Sequence, residues 1–260
     1  MTIRLKIIIP VLLVLAAGLC LLPGCVKKDY INNTTNGQID PGKASVYHDG
    51  TFSAKSQYYD TYGYGQRLTL EIHQGILTKI TFTETSRSGE VKSVMDPSWQ
   101  SNTDKKNLSD LYHAMADQII TQQSASNVDT VSGATQTTAA YKKLASAALD
   151  NSKNNGKEAS ISDINQTYNA EVVSSSDPSV TCKLSVTYKD GNISNVTYDE
   201  TKDGGQRSVN LAYKQLFSGL TKKTQDSQSL ANLPVEPTNP EEITDYNNAL
   251  NVIASQRTAY

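Results

Sequence analysis

Two eighteen-residue segments of this chain align with each other without gaps, and together they constrain the fold. "LTLEIHQGILTKITFTET" begins at Leu68 and "LSVTYKDGNISNVTYDET" begins at Leu184, at an offset of 116 residues. Both alternate apolar and polar residues on either side of a turn that contains Gly75 or Gly191. This pattern is typical of a β-hairpin. Two similar hairpins arise either by convergence, since many hairpins look alike, or by duplication.

The order of elements after each hairpin favours duplication. A polar loop leads to an amphipathic helical stretch from Leu108 in the first case and from Val209 in the second. A short connector then leads to a last helix, from Ala139 and from Thr244. Because the whole order occurs twice, the sequence predicts a tandem repeat.

The fold class follows from this order. Hairpins precede helices instead of alternating singly with them, which predicts an α+β fold. We expect two tandem repeats, each with an antiparallel sheet and with helices packed on one face. The Gly-, Asn- and Lys-rich stretch near 151–160 reads as a linker. It separates a first unit at 46–150 from a second at 161–260.

The connectors before the last helices differ between the two copies. The first reads "VDTVSGATQTTAAYKK" and the second "LPVEPTNPEEITDYNN", aligned on Tyr141 and Tyr246. The small-residue turn and the hydroxyl that follows it occur only in the first copy, where Gly133, Ala134 and Thr135 face Thr238, Asn239 and Pro240. A motif needed only for folding would persist in both copies, so we expect a chemical role in the first.

Thr135 lies where a helix is predicted to begin. Free amides and the macrodipole at a helix start favour an anionic group such as phosphate. The alternative is that Thr135 or Thr138 simply caps the helix. A serine hydrolase is disfavoured because no glycine stands two residues before Ser132. Gly63–Gly65 is too short for a dinucleotide fingerprint, and no P-loop pattern occurs.

The segment Asp129–Thr135, "DTVSGAT", resembles the flavinylation motif of the FMN-binding domain family. That family includes a subunit of sodium-pumping NADH:quinone oxidoreductase, the related electron-transport complex, and lipoproteins of flavin-based extracellular electron transfer. "YHDGTF" at Tyr47–Phe52 resembles the family's leader, and "GYG" at Gly63–Gly65 resembles the start of its next strand. The resemblance covers 45–149, and it reaches the second unit only through the repeat.

The resemblance implies a covalent cofactor. In that family an FMN transferase esterifies FMN, through its phosphate, to the last threonine of the motif. Carried over, the FMN acceptor is Thr135, and the acidic residue is Asp129. The phosphate turn is formed by Ser132, Gly133 and Ala134.

The loop after the first hairpin departs from the family's "ETPG"-like pattern and keeps only Glu84-Thr85. Trp99 and Met95 in this loop are candidates for lining the isoalloxazine ring, or they anchor the loop in the local core. A tyrosine cluster precedes the hairpin, and we attribute it to sheet packing: Tyr58, Tyr59, Tyr62 and Tyr64.

The N-terminus reads as a lipoprotein signal peptide at 1–24. A basic start with Arg4 and Lys6 precedes an apolar run, and "LPGC" ending at Cys25 resembles a lipobox. We therefore expect lipidation of Cys25. The alternative is a permanent transmembrane helix, although Pro10 and Pro23 interrupt the run. The polar stretch at 25–45 has the composition of a flexible tether.

Composition narrows the partners. Without the signal peptide the chain has 22 basic and 26 acidic residues, a net charge of −4, and no basic patch, so nucleic acid is not expected. Cys182 is the one cysteine outside the leader and the lipobox, so we expect a buried thiol and no internal disulfide. The scattered histidines show no metal-ligand spacing, so metal is not expected.

These features predict a lipid-anchored extracytoplasmic flavoprotein with covalent FMN on Thr135. It would pass electrons from a membrane-bound donor to an extracellular acceptor, as a carrier and not as a stand-alone catalyst. Its maturation would require an FMN transferase. The alternatives are non-covalent binding of FMN or another phosphate-bearing ligand, and a structural or signalling lipoprotein in which the motif only caps a helix.

Overall fold

The computed structural model describes residues 46–96, 98–101 and 105–260, together with the backbone of 34–35 and 38–39. The predicted signal peptide at 1–24 and Cys25 lie outside the described residues. Among the helices that are described, none is long and apolar enough to cross a membrane.

The predicted tether contains a short antiparallel ladder. Strand β1 (Thr34–Thr35) pairs with β2 (Gln38–Ile39). The two residues between them in the sequence are Asn-Gly, the dipeptide that most favours a two-residue hairpin turn. The predicted tether therefore contains some regular structure.

The first sheet has four strands: β3 (Gly50–Ser56), β4 (Tyr64–His73), β5 (Ile76–Ser86) and β6 (Ser160–Ser162). Their order is β5-β4-β3-β6. The pairs β5–β4 and β4–β3 are antiparallel, but β6 pairs with β3 in parallel. The first sheet is thus antiparallel, as predicted, except for β6, which begins at the last residue of the predicted linker. The chain returns to the open edge of β3 after crossing the sheet through helices, which is the connection that a parallel strand needs.

Three helices follow the first hairpin: α1 (Lys92–Met95), α2 (Leu108–Gln122) and α3 (Thr135–Lys153). Helix α3 packs against β3 and β4, and α2 packs against β5. Alternate residues of β4, such as Leu68, Leu70 and Ile72, are buried beneath them. The expected single helix-covered face is thus present, although α3 begins four residues earlier than Ala139.

The second unit also has four strands: β7 (Gln166–Val173), β8 (Val180–Lys189), β9 (Asn192–Lys202) and β10 (Gly205–Gln206). All pairs in the order β10-β9-β8-β7 are antiparallel. A short 3-10 turn at Arg207–Val209 leads into α4 (Leu211–Ser227) and later α5 (Pro240–Gln256). Helix α4 packs on β9, and α5 packs on β7 and β8.

Both predicted hairpins are confirmed, and they share their irregularities. The pairs β3/β7, β4/β8 and β5/β9 each begin 116 residues apart. The strand register shifts between Glu71 and Ile72 in the first unit and between Thr187 and Tyr188 in the second, at the same offset. Common descent of the two units stays a prediction.

A glutamine at the end of a helix braces each hairpin. Gln123 follows α2 and Gln228 follows α4, both in left-handed backbone conformation. The Gln123 side-chain amide exchanges two hydrogen bonds with the backbone of Leu77, at 2.8 and 3.0 Å. Gln228 does the same with Ile193, at 2.7 and 3.0 Å. The helix layer is therefore fixed to the hairpin turn in the same way in both units.

Candidate functional site

A cavity of about 520 Å³ lies at the start of α3. Its walls come from β4, from the loop before β4, from the segment between β5 and α2, and from the residues just before β7. This volume lies within the range of pockets that hold small ligands and cofactors. The cavity is therefore the first candidate for a binding site.

The start of α3 is open to a ligand. Ala134 is the N-cap residue, and no side chain of the described residues caps the helix. The Thr138 hydroxyl donates to the Ala134 carbonyl at 2.9 Å, inside the helix. The capping alternative is thus wrong for both threonines. Helix geometry leaves the amides of the first turn, Thr135–Thr137, without intrahelical partners, and the macrodipole makes this end attractive to an anion.

The turn before α3 exposes the hydroxyl of Thr135. Gly133 has φ +86°, a conformation that a side chain disfavours. Ala134 is buried and Val131 packs against the core, so the turn is anchored on both sides of Ser132. Thr135 itself is exposed. A modifying enzyme can therefore reach the hydroxyl without unfolding the helix.

The predicted motif is only partly within the cavity. Gly133, Ala134 and Thr135 line it. Ser132 and Asp129 are exposed and lie outside its lining. The backbone N–H of Asp129 donates to the Gln118 side chain at 2.8 Å, which ties the connector to α2.

Three aromatic residues line the cavity, and we call them its aromatic wall. Trp99, Tyr62 and Tyr64 line it. Trp99 also packs against the core, so its role as a loop anchor is confirmed, and its contact with an isoalloxazine ring stays a prediction. Met95 lies outside the lining and is half exposed. Of the four clustered tyrosines, the two nearer β4 therefore belong to the cavity and the other two do not.

A buried ion pair forms part of the wall. The Lys92 Nζ lies 3.1 Å from a carboxylate oxygen of Glu84, whose side chain is 1% exposed. Tyr112 donates a hydrogen bond to the same carboxylate. Burial, together with the Glu84 charge, raises the pKa of Tyr112 well above its ordinary value, so the hydroxyl stays protonated. Lys92 also lies 4.9 Å from the centre of the Tyr64 ring, which places a cation beside the aromatic wall.

Asp60 holds the turn that carries the tyrosines. It accepts hydrogen bonds from the backbone N–H groups of Tyr62 and Tyr64, at 2.9 and 2.8 Å. The Gln66 side-chain amide donates to its other oxygen at 3.0 Å. Burial raises the pKa of Asp60, and the bond from Tyr64 partly opposes this. Asp60 therefore orients the loop whose side chains face the cavity.

Sequence reasoning missed several lining residues. Asp60, Gln66 and Lys92 carried no motif, although "GYG" at Gly63–Gly65 marks their neighbourhood. Ile164–Gln166 had been placed in the second unit. Alignment of the two units gives one usable signal, because Glu84 and Glu200 occupy equivalent positions of the repeated hairpin. The structure shows that both are buried and paired with a cation.

The corresponding helix start in the second unit is closed. Helix α5 begins with Pro240 and has Glu241 and Glu242 in its first turn. Arg207 donates to Glu242 at 2.9 Å and also pairs with Glu200, which is fully buried. The protein's own carboxylates therefore lie beside this helix start, and they would repel a phosphate.

A second cluster of potential ligands is empty and carries no metal assignment. Atoms of Cys182, Glu200 and Asp245 lie within 4.8 Å of one another. Arg207 already balances the charge of Glu200. Burial raises the pKa of the Cys182 thiol to about 12, so it stays protonated. The expected buried thiol is confirmed.

Comparisons with known proteins agree with the motif. Residues 62–150 match the family model of the FMN-binding domain. A crystal structure of the CPE2226 protein from Clostridium perfringens is similar at 22% identity and a TM-score of 0.40, over 45% of this chain and 98% of that one. No curated protein matches the chain significantly. The family match spans the cavity's aromatic wall and the start of α3, so residues 62–150 contain an FMN-binding domain.

Proposed function

We propose that this protein is a lipid-anchored flavoprotein outside the cytoplasm, with FMN attached covalently to Thr135, and that it carries electrons from a membrane-bound donor to an extracellular acceptor. The observation that carries the proposal is the start of α3. It combines an exposed threonine, free amides and an adjoining cavity with an aromatic wall.

The residues of the cavity suit the parts of FMN. The amides of Thr135–Thr137 and the helix dipole would hold the phosphate. The rings of Tyr62, Tyr64 and Trp99 offer flat surfaces for an aromatic ring system. Leu108, Ala140 and Ile164 supply apolar lining. Bound FMN would supply the redox chemistry, while the chain provides attachment, orientation and electrostatics.

Lys92 is the residue that we expect to tune the cofactor. Its ammonium is the cation of the aromatic wall, and the buried Glu84 fixes its position. A fixed positive charge near a redox group stabilises the reduced, more negative form. The Glu84–Lys92 pair carries no net charge, so its effect on a bound flavin would be that of a dipole whose positive end is the Lys92 ammonium.

Attachment would proceed at the Thr135 hydroxyl. Its Oγ1 would form a new P–O ester bond with the FMN phosphorus of a phosphoanhydride donor presented by an FMN transferase. The bond from that phosphorus to the bridging oxygen of the anhydride would break, the rest of the donor would leave as a phosphate monoester, and the hydroxyl proton would pass to solvent or to the transferase. Exposure of Thr135 supports access by such an enzyme. The ester prevents loss of the cofactor by dilution outside the cell.

The second unit, we propose, is a diverged copy of the first without a flavin site. The shared offsets and the closed start of α5 support this. Lipidation at Cys25 would anchor the chain, since two acyl chains hold a protein stably at a membrane where one does not.

A non-covalent phosphate-ligand protein is the second candidate, because the free amides at the start of α3 would bind a phosphate with or without an ester. Production of the full chain in a host with an FMN transferase separates the two. After denaturing electrophoresis, we expect a flavin-fluorescent band for the covalent carrier. A non-fluorescent band, from protein that releases free flavin on denaturation, would instead support the second candidate.

The anchor is tested separately with Cys25→Ala. We expect wild-type protein in the membrane fraction and the variant in the soluble fraction, with covalent flavin in both. Wild-type protein recovered soluble with an unmodified Cys25 would contradict the lipid anchor and leave the flavin site unaffected.

A further inference from the structure

The last residues of the sequence, Arg257–Tyr260, follow α5 of the second unit but lie against the first. We call this segment the terminal strap. The backbone N–H of Tyr59 donates to the Thr258 carbonyl at 2.9 Å. The N–H of Tyr260 donates to the Gln57 carbonyl at 3.1 Å. The strap thus runs beside the loop between β3 and β4, which carries Tyr62 and leads directly into Tyr64, and which we call the tyrosine loop.

Two cations of the first unit also hold the strap region. The Arg87 side chain donates to the Gln256 carbonyl, and its guanidinium lies 4.8 Å from the centre of the Tyr59 ring. Lys55 donates to the main-chain oxygen of Tyr260 at 2.6 Å. These contacts are made by residues far apart in the sequence, so they tie the two units together.

The Tyr260 ring supports β4 from the side opposite the cavity. A Cβ on Gly65 would lie 2.1 Å from this ring, so the ring occupies the space that the missing side chain leaves. The neighbours of Gly65 in the strand, Tyr64 and Gln66, both line the cavity. Because side chains alternate along a strand, Tyr260 presses on the back of the strand whose front faces the site.

Arg257 fixes a second wall. Its guanidinium lies between the rings of Tyr58 and Tyr188, 3.5 and 3.8 Å from their centres. It also pairs with Asp163 at 2.7 Å, and both side chains are largely buried. Asp163 directly precedes Ile164–Gln166, which line the cavity. One strap residue therefore connects the tyrosine loop with the opposite segment.

We propose that the terminal strap is a positioning element of the cofactor site. It holds the tyrosine loop and the segment 164–166 in place around the group attached at Thr135. This inference rests on the proposed function, and it gives the second unit a role in shaping the site of the first. Arg257 and Tyr260 are positioning residues, because they act through Asp163 and through the strand that contains Gly65.

The test uses two variants of the full-length flavinylated protein. Tyr260→Ala removes the ring. Gly65→Ala leaves the sequence of the strap unchanged, but its Cβ forces the Tyr260 ring away from β4. Flavin fluorescence anisotropy, iodide quenching and the flavin reduction potential are measured at the same temperature. We expect covalent flavin in both variants, lower anisotropy, several-fold stronger quenching, and a potential displaced toward that of free FMN. Circular dichroism restricts the comparison to folded protein.

Two controls separate positioning from general stability. Tyr260→Phe keeps the ring and should retain the wild-type flavin signals. Lys222→Ala removes an exposed ion pair on α4 and should also change nothing. Folded, flavinylated Tyr260→Ala and Gly65→Ala with wild-type quenching and potential would overturn the role of the strap. Wild-type protein without covalent flavin would instead contradict the proposed function.

Discussion

The starts of α3 and α5 show the sharpest difference between the two units. In each unit the helix follows a hairpin and a first long helix, and it packs on the sheet of its own unit. At α5, Glu241 and Glu242 lie at the positive end of the helix, and Arg207 binds the second of them. At α3 the amides are uncapped and Thr135 is exposed. One scaffold thus supports a helix end that is internally neutralised and another that is available to an outside anion.

The two units also differ in the partners of an equivalent buried glutamate. Glu84 and Glu200 are nearly inaccessible, and each binds a tyrosine hydroxyl and a cation. In the first unit the cation is a single lysine beside the cavity. In the second, Arg207 pairs with two carboxylates and so links the start of α5 to the sheet. The second unit therefore differs from the first in having a second carboxylate beside the cation.

The largest expected difference is in covalent flavin, between the motif at the start of α3 and the same motif grafted onto the start of α5. Ser-Gly-Ala-Thr is placed over Pro237–Pro240 in a chain that carries Thr135→Ala. We expect no covalent flavin, because Glu241, Glu242 and Arg207 still occupy the helix start. A second graft also carries Glu241→Gln and Glu242→Thr, which reproduce Gln136 and Thr137 of the first unit. It is the matched comparison for the first graft. Intact mass is the measurement, and covalent flavin on the first graft would contradict the closed-site explanation.

A large loss of stability is expected from Arg207→Ala. It leaves Glu200 buried beside an unpaired Glu242, and breaking a buried pair in this way costs about 3–5 kcal/mol. Both buried glutamates keep a bond from a tyrosine hydroxyl, but Lys92→Ala strands only one carboxylate, so we expect a smaller loss. Urea denaturation of the two variants compares them directly. An equal or larger loss for Lys92→Ala would show that the double pairing of Arg207 adds nothing.

A smaller effect separates two equivalent tyrosines. The Tyr246 hydroxyl bonds to Thr224 at 2.8 Å, whereas the Tyr141 hydroxyl is buried without a partner among the described residues. Tyr246→Phe should cost about 1 kcal/mol, since it removes a buried hydrogen bond. Tyr141→Phe should be neutral or slightly stabilising. Thermal unfolding of both variants checks this, and a destabilised Tyr141→Phe would reveal a partner for that hydroxyl.

The smallest effect is a pH slope from Asp60. Burial raises its folded-state pKa above the unfolded value, so the folded protein holds this proton to higher pH. The contribution to stability is therefore favourable at low pH and is lost as pH rises from near 3.8 through the folded pKa. In Asp60→Asn the slope in this window should flatten. An unchanged slope in urea unfolding between acidic and neutral pH would contradict the assignment.

Much of the scaffold could be predicted because its signals are local. Alternation around Gly75 and Gly191 determined both hairpins, and helical periodicity located α2 and α4. Strand β6 could not be predicted in this way. Its three residues carry no period of their own, and their pairing depends on the free edge of β3.

The site was predictable only where it coincides with a motif. Gly133, Ala134 and Thr135 line the cavity, while the exposed Asp129 and Ser132 do not. Lys92, Asp60 and Ile164–Gln166 reach the cavity through tertiary packing, which a single sequence does not display. The helix start itself was left open between cap and anion site, and the side-chain contacts of Thr138 decide against the cap.

Intact mass of the full chain, produced with an FMN transferase, tests the central claim most directly when wild type is compared with Thr135→Ala and Thr138→Ala. Thr138 is a matched control, because it is a buried threonine of the same helix turn whose hydroxyl is already bonded. We expect one added FMN phosphoester in wild type and in Thr138→Ala, and none in Thr135→Ala. A Thr135→Ala protein that retains the FMN mass after denaturation would contradict Thr135 as the acceptor.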